Sequence, residues 1–246
     1  MKKTVALLFG GVSSEYAVSC VSAACVADNI NKDIYDVRLI GITQDGKWYL
    51  YTGDTDSMRN HTWDTKADCL IPAVISPSST HHGILLEDGT VIYVDAVFPV
   101  LHGKNGEDGT MQGLLALSGI PYVGCNTYSS AVCMDKVTTK ILCEKVGIPV
   151  VPYVFFRKNG FCPEDAVKAC EENLSYPMFV KPANAGSSVG ITKANNREEL
   201  VKGFEIAFQN DYKVLVETGV KNAREIEVAM LGNKNACASV CGEIAP

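Results

Sequence analysis

Apolar residues run unbroken from Val5 to Phe9 and stop at Gly10-Gly11. A short continuous apolar run bounded by glycines predicts a buried parallel strand over 4–9. The polar turn Val12-Ser13-Ser14-Glu15 follows, and the spacing then predicts a small-residue helix from about Glu15 to Asn29. A strand is expected over 36–42. Two hairpin-like stretches come next: Lys47–Tyr51, and Gly83–Leu86 turning at Glu87-Asp88-Gly89 into Val91–Tyr93. The run VDAVFPVL (94–101) predicts another buried strand, and the glycine-rich turn His102–Gly109 leads into a helix over about 110–118. Alternation of this kind predicts an open parallel α/β sheet.

The pattern changes after Gly124. A helix is expected over Ser129–Val146, stopped by Gly147 with Pro149 just beyond. Strand 150–156, helix 163–173, strand 178–182, a loop Ala183–Gly190, strand 190–194 and helix 196–210 follow, then strands at 213–218, 225–231 and 235–241. Strand–helix units mixed with antiparallel strands predict an α+β second domain, so the chain divides near 125–130, into 1–127 and 128–246. The sequence ends at Gly242-Glu243-Ile244-Ala245-Pro246 directly after a strand. An α+β sheet with one face uncovered exposes apolar surface, so the ending reads as a cut.

Composition narrows the class. The chain has 246 residues, 47% hydrophobic and 20% charged, which excludes disorder. A net charge of -6, with no run of Lys or Arg longer than two, excludes a nucleic-acid footprint. There are 10 cysteines but no C-x-x-C pair. Most lie in apolar stretches, with Cys133 and Cys143 flanking a helical segment and Cys237 and Cys241 in a strand-like one, so buried free thiols in a reducing compartment are expected. The apolar run after Met1-Lys2-Lys3 is too short for a secretory signal, and no stretch reaches the roughly 18 residues of a membrane span. A cytoplasmic protein without a membrane partner is expected.

Four segments could carry chemistry. In the first, Lys181 ends a buried strand and Pro182–Gly190 follows, rich in small residues. Consecutive N–H groups there could cradle phosphate oxygens with Lys181 as a point charge; a glycine-rich hairpin with a solvated lysine fits the spacing equally. It is neither a Walker A loop nor a dinucleotide fingerprint, and the missing fingerprint disfavours a nicotinamide dehydrogenase. In the second, His102–Gly109 leaves a buried strand where ligands bind in open α/β sheets, or is simply a tight turn capped by His102. In the third, Glu15 could hold a substrate ammonium group or serve as a first-turn acid. In the fourth, Val214–Val220 could offer an edge to adenine and Glu225 could accept from ribose, or the segment is an ordinary strand and turn.

Taken in order, GGVSSEYAVS (10–19), FPVLHGKNGEDGTMQGLLALSGIPYVG (98–124), MDKVTTK (134–140), KPANAGSSVG (181–190) and AREIEVAMLGN (223–233) resemble the D-alanine–D-alanine ligases of the ATP-grasp superfamily along essentially the whole chain. The resemblance implies a pre-ATP-grasp domain followed by an ATP-grasp domain with an incomplete end. It implies that Glu15 holds the ammonium of the first D-alanine, that Val18 packs on its methyl, and that His102 lies near its carboxylate. Ser187 links Glu15 to a mobile loop, making Glu15 and Ser187 the expected catalytic pair. Lys136 and Lys181 bind phosphates beside Ser187 and Ser188, Phe179 lines the adenine pocket, Glu217 and Val220 meet the adenine edge, and Glu225 meets the ribose. The implied reaction is two-step: D-alanine carboxylate attacks the γ-phosphate of Mg-ATP to give an acyl phosphate, and the amine of a second D-amino acid then displaces phosphate. A homodimer is also implied.

The Mg2+ ligands of the family are expected beyond Pro246, and no E-x-N pattern follows Ser187. Little or no ligase activity is therefore expected of this polypeptide itself, and a nucleotide- or D-alanine-binding fragment without turnover is the alternative of another class. A different ATP-grasp carboxylate–amine ligase is the second alternative, opposed by the Glu15 and His102 segments. Glu15-Tyr16 and GITQDGKWYLYTG (41–53) resemble the vancomycin-resistance ligases that make D-alanyl-D-serine, which favours D-serine over D-alanine as the second substrate.

Overall fold

The structure is a computed structural model and describes residues 1–244. It opens with β1 (Lys3–Gly10), α1 (Tyr16–Asn29), β2 (Tyr35–Ile42) and β3 (Trp48–Tyr51). Then come α2 (Thr55–Arg59), β4 (Leu70–Ile75), β5 (Gly83–Leu86), β6 (Val91–Tyr93), β7 (Ala96–Pro99) and α3 (Thr110–Ser118). Among the described residues these strands form one sheet in the order β6-β5-β4-β3-β2-β1-β7. Only β2-β1-β7 is parallel, and β3 to β6 extend it antiparallel. The expected open parallel sheet is thus a mixed one. The cause is local: the β2–β3 connection is the tight turn Thr43–Lys47, where the Thr43 N–H donates to Lys47 O at 2.9 Å. A turn that short cannot hold a parallel crossover.

β1 is the spine. Ala6, Leu7, Leu8 and Phe9 are wholly buried, as a strand covered on both faces should be. One face packs with Ile40, Ile84, Met111 and Leu115; the other packs with α1, Tyr51 and Trp63. β4 was not foreseen from the sequence. Pro72 interrupts its pattern, but it lies at the end of the β4–β5 ladder, where its carbonyl still accepts the Glu87 N–H at 3.1 Å and only a terminal donor is missing.

The second half comprises α4 (Thr127–Met134), α5 (Lys136–Lys145), β8 (Tyr153–Arg157), α6 (Pro163–Asn173), β9 (Met178–Pro182), β10 (Thr192–Ala194), α7 (Arg197–Asn210) and β11 (Lys213–Thr218). Its sheet is antiparallel, β10-β9-β11-β8. Met178, Val180, Val214 and Val216 face α6 and α7. The alternate residues Phe179, Lys181, Leu215 and Glu217 face the other way, toward α5, where Val137 packs on Ala183 and Leu215.

The single helix expected over 129–146 is two helices. Asp135 is extended, and its Oδ1 accepts the N–H groups of Val137 and Thr138, each at 3.0 Å. A side chain that caps a new helix start ends the previous helix there. The strands expected at 225–231 and 235–241 are shorter pairs: β12 (Glu225–Glu227) with β15 (Gly242–Ile244), and β13 (Met230–Leu231) with β14 (Cys237–Ala238). The cysteines are free, yet only Cys20 and Cys170 are buried and six are exposed, which corrects the expectation of buried thiols. Burial raises the Cys20 thiol to about 11 and the Cys170 thiol to about 12.

Candidate active site

β1 and β7 run side by side, while the chain leaves β1 through α1 to reach β2 on the opposite side. The gap beyond the carboxyl ends of β1 and β7 is therefore a topological switch point, the usual ligand crevice of such sheets. Ser19, buried in α1, fixes both strand ends: its Oγ accepts the Gly10 N–H at 2.8 Å and donates to Val100 O.

Three loops converge on one carboxylate in this crevice. Glu15 stands at the start of α1, its N–H donating to Ser13 Oγ at 3.1 Å. A Cβ on Gly103 would lie 2.0 Å from Glu15 Oε2, and one on Gly186 would lie 2.9 Å away. Gly103 has φ +69, so its backbone favours glycine, and any side chain there would have to displace the Glu15 carboxylate. The third contact is a hydrogen bond from Ser187 Oγ to Glu15 Oε1. Ser187 and Ser188 both have positive φ, at 45° and 59°. Non-glycine residues there store strain of about 1 kcal/mol or more each.

The other carboxylates of the 102–109 loop shape it. Glu107 Oε2 accepts the Gly103 N–H at 2.7 Å, and Asp108 accepts the N–H groups of Asn105 and Thr110 at 2.9 and 3.0 Å. His102 Nε2 lies 3.4 Å from Ser22 Oγ. Glu15, Val18 and Ser22 share one face of α1 by spacing, and Val18 is half-exposed on it. A cavity of about 390 Å3 opens between the 12–15 and 184–189 segments, with Gln44 and Lys104 on its wall. A second, of about 360 Å3, lies against Gly11, Trp48, Leu101 and His102. Tyr16, by contrast, is buried under Gly10, and its phenol oxygen accepts the Trp63 indole N–H at 2.7 Å.

The second cluster lies on the open face of the β9–β11 sheet. The register places Glu217 opposite Phe179 and Leu215 opposite Lys181. Glu217 Oε1 accepts from Lys181 Nζ at 2.5 Å, and Oε2 pairs with Lys140 Nζ at 2.9 Å. Burial pushes the Glu217 carboxyl upward, but its hydrogen bonds and attraction to Lys181 and Lys140 outweigh this and hold it below the usual range. Lys136 is the first residue of α5; its N–H donates to Ala183 O at 3.0 Å and its ammonium to Ala185 O. Burial first, and the Lys181 charge second, lower its pKa below 10.5. Two neighbouring lysines, one of them losing affinity for its proton, form a site that an anion would stabilise.

The 183–190 loop is tied down from below. Asn184 donates through its backbone N–H and Nδ2 to Asp211 Oδ2 at 2.7 and 2.8 Å. Asp135, besides capping α5, pairs with the buried Lys213. The structure therefore gathers Glu15 with Ser187, and Lys136, Phe179 and Lys181 with Glu217. Val220 and Glu225 lie on an exposed segment and make no hydrogen bond to these groups among the described residues. The sequence reading missed Lys140, Asp135, Lys213 and Asp211. Lys140 had a signal, since it is four residues from Lys136 and so on the same helix face.

Comparison with known proteins matches residues 4–125 to the family described as D-ala D-ala ligase N-terminus and residues 142–246 to D-ala D-ala ligase C-terminus. A D-alanine--D-alanine ligase of Thermoanaerobacter sp. (strain X514) is 48% identical over 248 residues, covering 100% of this chain and 68% of that protein. One from Ruminiclostridium cellulolyticum is 50% identical over 256 residues, with the same coverage.

The chain belongs to the D-alanine–D-alanine ligase family.

Among solved structures of this kind, the VanG D-Ala:D-Ser ligase from Enterococcus faecalis superposes with a TM-score of 0.91 at 45% identity, covering 99% of this chain and 70% of that one. The D-alanine-D-alanine ligase from Coxiella burnetii gives 0.88 at 34% identity, with 99% and 71% covered. The chain thus has the mixed α/β fold of these ligases and spans about two-thirds of their length. Among the described residues, no group of three or more His, Cys, Asp or Glu could hold a metal ion, and no helix is long and apolar enough to cross a membrane.

Proposed function

We propose that this chain carries the first-substrate site and the phosphate-binding face of an ATP-dependent ligase that joins D-alanine to a second D-amino acid, for peptidoglycan precursor synthesis in the cytoplasm. The observation that carries the proposal is the convergence on Glu15. A carboxylate at the switch point, held by Ser187 from the phosphate-side loop, suits an ammonium group beside a bound triphosphate. Glu15 takes the ammonium of the first D-alanine, with Val18 against the methyl and His102 near the carboxylate. Ser187 couples that site to the 183–190 loop, so amino acid and nucleotide order the same segment.

Lys136, Lys181 and backbone N–H groups around Ser187 and Ser188 offset phosphate charge, while Phe179, Glu217 and Val220 receive adenine and Glu225 the ribose. ATP supplies the phosphoryl group that activates the D-alanine carboxylate. The protein's task is mainly positioning and charge neutralisation. Mg2+ on the triphosphate would share the charge neutralisation with Lys136 and Lys181, and the described residues offer no carboxylate set to hold it. Homodimer assembly, with self-contact through copies of this chain, belongs to the same proposal.

The test, on a protein that extends this chain to the length of its relatives, is D-alanine-dependent phosphate release from Mg-ATP, with the product weighed by mass spectrometry, with and without D-serine; no release would refute the proposal. D-alanyl-D-serine in excess, as the 41–53 segment favours, would assign D-serine as second substrate; D-alanyl-D-alanine alone would assign D-alanine. Glu15→Gln is expected to weaken D-alanine dependence and spare nucleotide affinity. A Glu15→Gln protein with unaltered D-alanine dependence would refute the substrate assignment.

A further inference from the structure

Glu217 is shared by two lysines, and each also lies over an aromatic ring, Lys181 at 5.6 Å from the Phe179 centroid, but among the described residues only Lys140 also donates to a backbone carbonyl. Lys181 also faces the phosphate side, next to Lys136, and its side chain is 23% exposed. Lys140 is 14% exposed. Its Nζ stands 5.2 Å from the centroid of the Tyr153 ring and 3.4 Å from Val151 O. The Tyr153 hydroxyl donates to Glu144 Oε2 at 3.0 Å, fixing the ring under the ammonium. Lys140 is thus clamped by a carboxylate, a carbonyl and an aromatic face, an arrangement that leaves it no route to a phosphate.

We propose that Lys140 is a positioning residue for purine selection: it is the permanent counter-ion that keeps Glu217 ionised and oriented as an acceptor for the exocyclic amino group of adenine. The inference rests on the reading of this face as the nucleotide site. When triphosphate draws on the charge of Lys181, Glu217 would otherwise be a part-buried carboxylate without a dedicated partner, free to turn or to take up a proton. A fixed anionic acceptor binds a 6-amino purine and opposes a 6-oxo purine, whose oxygen would meet the carboxylate acceptor to acceptor. The selected class is therefore adenine nucleotides over hypoxanthine or guanine nucleotides.

Calorimetric titrations of the full chain with ATP and with inosine triphosphate test this, with melting temperatures recorded for each variant. The wild type is expected to prefer ATP by roughly tenfold to a hundredfold, the span of a hydrogen bond to a charged group. Lys140→Met is expected to bring that ratio to within about threefold of unity with no fall in inosine triphosphate affinity, whereas general loss of structure would lower both affinities. Lys140→Arg, which keeps the charge, should retain the preference. Glu217→Gln separates the two levels of the argument. If it collapses the ratio and Lys140→Met does not, the role of Lys140 is overturned and the site stands. If Glu217→Gln leaves the ratio unchanged, or the wild type binds neither nucleotide, the reading of the face falls and the inference with it.

Discussion

Gly103→Ala tests the Glu15 site because the structure separates its effect on folding from its effect on binding. The added Cβ would stand 2.0 Å from Glu15 Oε2, 3.1 Å from its Cδ and 2.9 Å from Ser13 Oγ, a hydroxyl that can rotate away. Ordinary heavy-atom contact is about 3.5 Å, so the carboxylate must retreat by roughly 1.5 Å. The end of a Glu side chain can do this by changing rotamer, so the fold survives. What remains is the cost of alanine at φ +69, about 1–2 kcal/mol, which lowers the melting temperature by about 2–4 °C for each kcal/mol in a protein of this size. The retreat breaks the Ser187 hydrogen bond and removes the acceptor from the ammonium position. A hydrogen bond to a charged group contributes about 1.5–3 kcal/mol, or roughly 10- to 150-fold in D-alanine affinity. Gly89→Ala is the matched control, because Gly89 has φ +84 but nothing within 4 Å of its added Cβ. Calorimetric D-alanine titration and thermal melts on both variants should show similar melting losses and a binding loss for Gly103→Ala alone. D-alanine affinity within twofold of wild type in Gly103→Ala would refute the placement of the ammonium at Glu15.

Lys136 has a lowered pKa when free, and a bound phosphate would restore it. Binding then takes up a proton between the two values, so nucleotide affinity should fall as pH rises toward 10.5, and Lys136→Met should flatten that profile. Glu217, held below 4.5, contributes stability that is present above that value and is lost as pH falls through its depressed pKa; Glu217→Gln should shallow the acid limb of a stability curve measured by denaturant titration. Lys213→Met leaves Asp135 charged and part-buried, so urea unfolding should show a loss of about 3–5 kcal/mol. Tyr16→Phe removes the acceptor of a buried indole N–H and should cost about 1–3 kcal/mol, with the ratio of D-alanyl-D-serine to D-alanyl-D-alanine product, read by mass spectrometry in a ligase of its relatives' full length, unchanged.

That last expectation marks where sequence and structure part. Tyr16 follows Glu15 in the sequence and so pointed toward substrate choice, yet one step along a helix turns a side chain by about 100°, and Tyr16 faces the core. Gln44 and Trp48, from the same resembling segment, do reach the cavity walls. Elements with unbroken periodicity were legible: β1, α6 and β9 fall where expected because their apolar spacing matches their burial. The break at Asp135 was not, since it depends on two backbone N–H groups and on Lys213, which is 78 residues away. The antiparallel extension of the first sheet was half-legible, because its turns carry glycine signals but Pro72 hides β4.

A lysine at a strand end followed by a small-residue loop stands out locally, so Lys181 and the 183–190 segment could be singled out as candidates from spacing, which fitted a solvated lysine equally well. Groups that act on other protein groups leave no such mark. Glu217 reads as a polar strand terminus until the β9–β11 register sets it beside Lys181, 36 residues distant, and Lys140 reads as a solvated helix lysine until Tyr153 and Glu217 enclose it. Glu15 and Ser187 are 172 residues apart, and their bond exists only because both sheets deliver loops to one crevice. Chain entropy resists such long-range closure, so the hydrogen bond alone cannot hold the crevice together; the buried faces of α1, α6 and α7 set the geometry. Substitutions in those faces should therefore act on stability first, and substitutions at Gly103, Ser187 or Lys140 on binding first.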